Sequence, residues 1–284
     1  MFTFGVDSFI WTEKFSEKDL WIISKAREVG FEVVDIYISD LDTFPVRKVK
    51  DKAGEAGIEV VTTFGLPEDA NTISPDPRVR RRGVPMLKKL VDINYALGSK
   101  IMAGIHYAAW GYRSGKPRTD QEWEWSVNAL REVAEYAADK GDLILAEEAV
   151  NRFETHFLNV AEDAVRYCKD VGTGNVKVHL DTFHMIREED SFAGALKTCG
   201  REYLGYVHVC ESQRGIPGTG LVPWEEFFRT AKQIGYDGPM VIESFDPNFE
   251  EINRLCSIWR KYADSGEELA VKGLHNLREI ASRI

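Results

Sequence analysis

The sequence predicts an α/β protein, a single (β/α)8 TIM barrel with an additional C-terminal helix, and three observations carry that prediction. Short β-rich runs alternate with helical runs along almost the whole chain, the β-rich runs number eight, and a glycine follows each of the seven helices that lead into another strand. Eight strands alternating with helices close most economically into a barrel. An open doubly wound sheet is the rival arrangement. The first strand-to-helix turn, Ser8-Phe9-Ile10-Trp11-Thr12, has no G-x-G-x-x-G, which disfavours the dinucleotide-binding version.

The first strand is expected at residues 3–8, and Ser16-x-x-Asp19 behind it has the form of a capping box that opens a helix. Strands two to four follow at residues 32–38, 58–64 and 100–105. Thr119-x-x-Glu122 is a second capping box, and the helix it opens carries an apolar stripe of Val127, Leu130, Val133, Ala134 and Ala137. The later strands fall at residues 143–148, 176–181, 203–209 and 240–244. Val176-Lys177-Val178-His179-Leu180 and Met240-Val241-Ile242 are near-continuous apolar runs, as strands covered on both faces require. Pro223 suits the first turn of the helix after strand seven. Gly30, Gly57, Gly98, Gly141, Gly172, Gly200 and Gly235 stand where left-handed backbone ends a helix. Residues 265–284 form one more helix, and no Pro/Gly/Ser-rich linker divides the chain. Residues 1–284 are therefore expected to make one domain.

Composition narrows the function classes. With 46 acidic against 36 basic side chains the net charge is −10, which opposes a nucleic-acid or anionic-membrane partner. No apolar run is long enough to span a membrane, and Met1-Phe2-Thr3-Phe4-Gly5 lacks the regions of a signal peptide. Cys168, Cys199, Cys210 and Cys256 form no C-x-x-C pair, so free thiols in a reducing cytoplasm are expected.

In such a barrel the chemistry sits at the C-terminal ends of the strands. Strand five ends in Glu147-Glu148, strand six in Asp181, strand seven in His208 and strand eight in Glu243. Any one of these could cap a helix or pair with an arginine. Four on adjacent strands form a hard, oxygen-rich donor set suited to Mn²⁺, Co²⁺ or Mg²⁺. Side-chain alternation lets only one of Glu147 and Glu148 point into the barrel mouth, and spacing does not choose between them.

Four motifs resemble those of the D-tagatose/D-allulose (D-psicose) 3-epimerase family, within the xylose isomerase-like sugar isomerase/epimerase barrels. They are Glu148-Ala149-Val150-Asn151-Arg152-Phe153-Glu154, Leu180-Asp181-Thr182-Phe183-His184-Met185, the run from His208 through Glu211 to Arg214, and Glu243-Ser244-Phe245. The likeness covers nearly the whole chain, including Ile73-Ser74-Pro75-Asp76. It implies that Glu148, rather than Glu147, joins Asp181, His208 and Glu243 in binding one divalent metal ion, with Mn²⁺ foremost. It implies that Glu154, His184 and Arg214 hold the O1/O2 end of a ketose, that Trp110 packs near the sugar, and that Trp11 and Phe245 are further pocket walls. A homodimer or homotetramer in the cytoplasm is the assembly it suggests. Three positions depart from the family pattern: Cys210 replaces a glycine, Ile186 an asparagine and Ser244 a common proline.

The activity implied is C3 epimerisation of a free ketose such as D-tagatose, D-fructose/D-allulose or L-ribulose. Glu148 and Glu243 are expected to act as an acid/base pair on opposite faces of C3, passing through an enediolate stabilised by the metal. Aldose–ketose isomerisation and a non-catalytic sugar-binding barrel are the rival readings. A sugar phosphate is a further rival, prompted by Gly215-Ile216-Pro217-Gly218-Thr219-Gly220, but no Lys/Arg cluster accompanies that loop in the sequence. DNA-repair endonucleases of this architecture need more histidines than the six present.

Overall fold

The computed structural model describes residues 2–246 and 248–284; Met1, part of the N-terminal reading, and Pro247 lie outside the described residues. Eight parallel strands close into a barrel in chain order: β1 (Thr3–Asp7), β2 (Val33–Tyr37), β3 (Glu59–Leu66), β4 (Ile101–Ala109), β5 (Ile144–Ala149), β6 (Val176–Asp181), β7 (Leu204–His208) and β8 (Pro239–Ile242). The ring closes where β1 pairs with β8, from Thr3 opposite Pro239 to Val6 opposite Ile242. Around it stand α1 (Trp21–Val29), α2 (Val46–Ala56), α3 (Pro77–Leu97), α4 (Asp120–Lys140), α5 (Ala161–Val171), α6 (Thr182–Glu188), α7 (Phe192–Tyr203) and α8 (Trp224–Gln233). After the last strand come α9 (Glu250–Leu255) and the additional C-terminal helix α10 (Gly266–Ser282).

All eight predicted strands are present, and the largest difference is at β4. It runs to Ala109, well past the expected end, because buried His106 continues the strand and is satisfied by Glu147 across the ladder. Next to it Gly104 lies at φ 122°, where a Cβ would come 2.2 Å from the Phe64 carbonyl oxygen. Only glycine permits that approach.

Helix ends also needed correction. Gly141 and Gly200 do not form left-handed caps: Gly141 leaves α4 at φ 155°, and Gly200 is a kink within α7, at φ 55° and ψ −172°. The Ser16–Asp19 box closes on a short 3-10 turn, Glu17–Asp19, ahead of α1, whereas the Thr119–Glu122 box caps α4 itself.

The core has two shells. Val33, Val61, Ile101, Ala103, Ala146, Tyr206 and Val241 fill the barrel interior, and a larger cluster including Leu90, Leu130 and Phe227 packs strands against helices. The filled interior plugs the barrel below its C-terminal rim, so side chains at the strand ends form the floor of the cleft above. All four cysteines are free. Among the described residues no helix is long and apolar enough to cross a membrane.

Candidate active site

A cavity of about 890 Å³ opens at the C-terminal end of the barrel. Glu148 (β5), His184 (α6), Arg214 (after β7), Glu243 (after β8), Glu154, Trp110 and Phe245 all line it. Asp181 and His208 lie beneath these residues with no solvent exposure. Alternation along β5 sends Ala146 into the barrel interior and Glu148 into the cavity. Glu147 lies between them, on the outer face, where its carboxylate receives His106 Nδ1 at 2.8 Å.

Asp181, His208 and Glu243 converge so that one donor atom from each lies within 4.8 Å of the others, and Glu148, Asp181 and His184 do the same. His208 gives the clearest sign of what this cluster is for. Its Nε2 faces Asp35 Oδ2 at 3.2 Å, while its Nδ1 is buried without a hydrogen-bond partner among the described residues, 3.6 Å from Glu243 Oε2 and 4.0 Å from Asp181 Oδ2. A buried imidazole nitrogen left unpaired among carboxylates costs free energy unless a cation sits there. Three carboxylates and one imidazole, with the far ring nitrogen held by Asp35, fit a divalent metal ion.

The electrostatics follow from burial and from the neighbours. Burial pushes the Glu148 carboxyl up to about 8, with Asp181 and Glu154 adding to the effect against His208 and Arg214. Burial also disfavours ionisation of Asp181, but Arg214, His184 and His208 outweigh it and hold the group below its ordinary value. Burial lowers His184. His184 Nδ1 accepts from the Asn151 backbone N–H at 3.2 Å, and its Nε2 lies 3.5 Å from both Glu148 Oε1 and Arg214 Nη2.

Arg214 ties the acidic groups together. Its Nη1 hydrogen-bonds Glu243 Oε2 and lies 3.5 Å from Asp181 Oδ2, and its guanidinium packs over the Phe183 ring at 4.2 Å. The residue has φ 62°, uncommon for any residue other than glycine, and the Ser244 hydroxyl donates to its carbonyl oxygen at 2.6 Å. Ser244, one of the departures from the family pattern, thus secures Arg214. Cys210, another, is fully buried with Sγ 3.2 Å from Asp181 Oδ2. Glu154 accepts from Trp110 Nε1 at 2.9 Å and Asn151 Nδ2 at 3.0 Å, so it braces the aromatic wall.

Trp11 is the one expected wall that does not line the cavity. The 3-10 turn at Ser8–Ile10 carries it away, edge-on to Trp21 at 6.5 Å, and Phe9 lines the cavity in its place, packed on Phe245. Sequence reasoning also missed Asp35, which accepts from Thr63 Oγ1 and Tyr206 Oη at 2.6 Å each besides facing His208. The signal was present: an aspartate inside Val33-Val34-Asp35-Ile36-Tyr37 is a buried charge in want of partners. Glu211, quoted only as part of a motif, gathers the loop after β7 by accepting from the N–H groups of Ser212, Gly218 and Val222 and from Trp224 Nε1.

Residues 23–280 match the model of the xylose isomerase-like TIM barrel family. A ketose 3-epimerase from Arthrobacter globiformis is 35% identical over 269 residues, covering 93% of this chain and 92% of that protein. An L-ribulose 3-epimerase from Methylomonas sp. (strain DH-1) is 35% identical over 262 residues, covering 90% of each. The solved structure of a D-allulose 3-epimerase from Methylomonas sp. in complex with D-allulose superposes with a TM-score of 0.92 at 31% identity, covering 98% of this chain and 96% of that one. The chain therefore belongs to the ketose 3-epimerases of the xylose isomerase-like TIM barrel family.

Proposed function

We propose that this protein is a metal-dependent isomerase that epimerises a ketose at C3, with Glu148 and Glu243 exchanging the proton. The observation that carries this reading is the unpartnered His208 Nδ1 facing Asp181 and Glu243 inside a cavity that Glu148 also lines. Glu148, Asp181, His208 and Glu243 would hold the metal. When bound, a divalent cation supplies Lewis acidity that stabilises negative charge developing on the ketose oxygens.

The remaining work falls to side chains of the chain itself. Inverting C3 requires one group to remove a proton from one face and another to deliver a proton to the opposite face. Glu148 and Glu243 come from β5 and β8, three strands apart in an eight-strand ring, and so reach the cavity from different sides. Arg214 and His184 hold and polarise the O1/O2 end of the ketose, favouring the charge that develops as the proton leaves. Glu154 keeps Trp110 and Asn151 in place around them, and Trp110, Phe9 and Phe245 exclude water from the reacting carbon.

The test is proton exchange in heavy water. Metal-loaded protein incubated with D-fructose or L-ribulose should place deuterium at C3 and form the C3 epimer, and chelation should stop both. Deuterium at C1 with an aldose product would instead establish an aldose–ketose isomerase. Exchange that survives complete removal of metal would overturn the metal dependence.

A further inference from the structure

One wall of the cavity comes from the segment after β8, and a side chain from the opposite end of the chain holds it in place. Ile252 of α9 is buried against Phe9 and Phe245, and Cys256 and Ile258 continue the same lining. α9 has only six residues, too few to be stable without tertiary support. Its N-cap residue, Phe249, makes no side-chain capping hydrogen bond. The N–H groups of the first turn therefore need acceptors from elsewhere.

Glu13, in the loop after β1, supplies the acceptor. Its Oε1 receives the backbone N–H of Glu251 at 2.8 Å and that of Ile252 at 3.2 Å. One carboxylate oxygen thus caps α9 across the seam where β1 pairs with β8. Glu250 and Glu251 already place negative charge in that turn, so what Glu13 adds is the bond geometry rather than the charge. The other anchors are local: Asn253 Nδ2 donates to the Asp246 carbonyl at 2.9 Å, and the Ile258 N–H to the Asn253 carbonyl at 2.8 Å. Among the described residues, the hydrogen bonds that tie α9 to a segment outside its own loop are the two to Glu13. The loop that carries Glu13 also carries Phe9, whose ring packs on Phe245 with centroids 5.4 Å apart. The same loop therefore supplies one face of the wall and holds the other against it.

We propose that Glu13 is a positioning residue for the sugar site: by clasping the start of α9 it keeps Ile252 on Phe9 and Phe245 and so closes that wall of the cavity. This rests on the ketose epimerase reading for the identity of the ligand. Glu13 does not itself line the cavity, so it acts through Ile252 and not by touching sugar or metal. Without the clasp, α9 populates arrangements in which Ile252 has left the wall. Apparent sugar affinity then falls by the fraction of molecules lost from the closed arrangement. The floor cluster stands on β5 to β8 and keeps its own supports, so the effect falls on binding and not on proton transfer.

The test compares Glu13→Ala and Glu13→Gln with the parent protein, all metal-loaded, on L-ribulose and D-fructose. C3 exchange in heavy water gives kcat and KM, titration calorimetry gives sugar and metal affinity, and amide hydrogen exchange reads the peptide that carries α9. In Glu13→Ala, KM and the sugar dissociation constant should rise about threefold to tenfold, the size of a lost helix cap, and the α9 amides should exchange faster. Its kcat and metal affinity should stay within about twofold of the parent, as loss of binding alone requires. Glu13→Gln keeps an oxygen acceptor at the same reach and should return KM and amide exchange to near the parent values. Ile252→Ala should raise KM by itself, and adding Glu13→Ala to it should add little, because both act through one wall. Unchanged sugar affinity in Glu13→Ala would overturn the proposal. So would a fall in kcat and metal affinity as large as the rise in KM, or a glutamine variant as impaired as the alanine one. A parent protein that binds a ketose without C3 exchange would remove the epimerase reading instead. Calorimetry then decides the role of Glu13: weaker sugar binding in Glu13→Ala alone supports it, and equal binding overturns it.

Discussion

The two halves of the barrel contribute to the cleft in different ways. β5 to β8 end in acidic or imidazole side chains that meet at the floor, and each of these is buried or nearly so. β1 to β4 supply walls and braces: Phe9 and Trp110 face the cavity, and Asp35 sits beneath it, in contact with His208 from the other half. On the proposed reading the second half holds the reacting groups, and the first half fixes their orientation and walls the cavity. An imidazole ligand needs such support, because its free rotation is stopped only when the far nitrogen is bound.

Substitutions can separate the two contributions. The largest effect should come from the second half. Glu243→Gln keeps the side-chain shape but removes a proton acceptor and a charged metal donor, so C3 exchange at saturating metal should fall about 10²–10⁴-fold. Near-normal exchange in that variant would show that the proton travels by another group. A smaller effect is expected from Asp35→Asn in the first half. It weakens the hold on His208 Nε2 without touching the carboxylates, and metal affinity measured by titration should drop about 10–100-fold. Activity should recover substantially when metal is raised; failure to recover would place Asp35 in the chemistry itself. The smallest effect should follow Phe9→Ala, which opens a wall against Phe245. KM for the ketose should rise with metal affinity unchanged, and a shift in metal affinity would mean that the wall and the floor are not separable.

The legibility of the sequence follows the same division. The four floor residues could be read because each closes a strand whose apolar run announces it, and the fold then dictates that strand ends share a rim. Glu148 could be chosen over Glu147 only through the resemblance of Glu148-to-Glu154 to a family motif; in the structure, alternation along β5 puts Glu147 against His106 on the outer face. Asp35 was visible as a buried charge, but its partner lies on β7, far away in sequence. Trp11 could not be read correctly because a single 3-10 turn decides whether residue 9 or residue 11 faces the cavity.

By itself the sequence determined the alternation of strands and helices, the closed barrel that eight such units make, and the rim on which Glu148, Asp181, His208 and Glu243 meet. Those features depend on local periodicity and on a topology with few alternatives. Tertiary structure alone decided that Asp35 orients His208, that Ser244 secures Arg214, and that Phe9 packs on Phe245 at the cavity wall. Each of these joins residues from different segments, and only the closed barrel sets the distances between them.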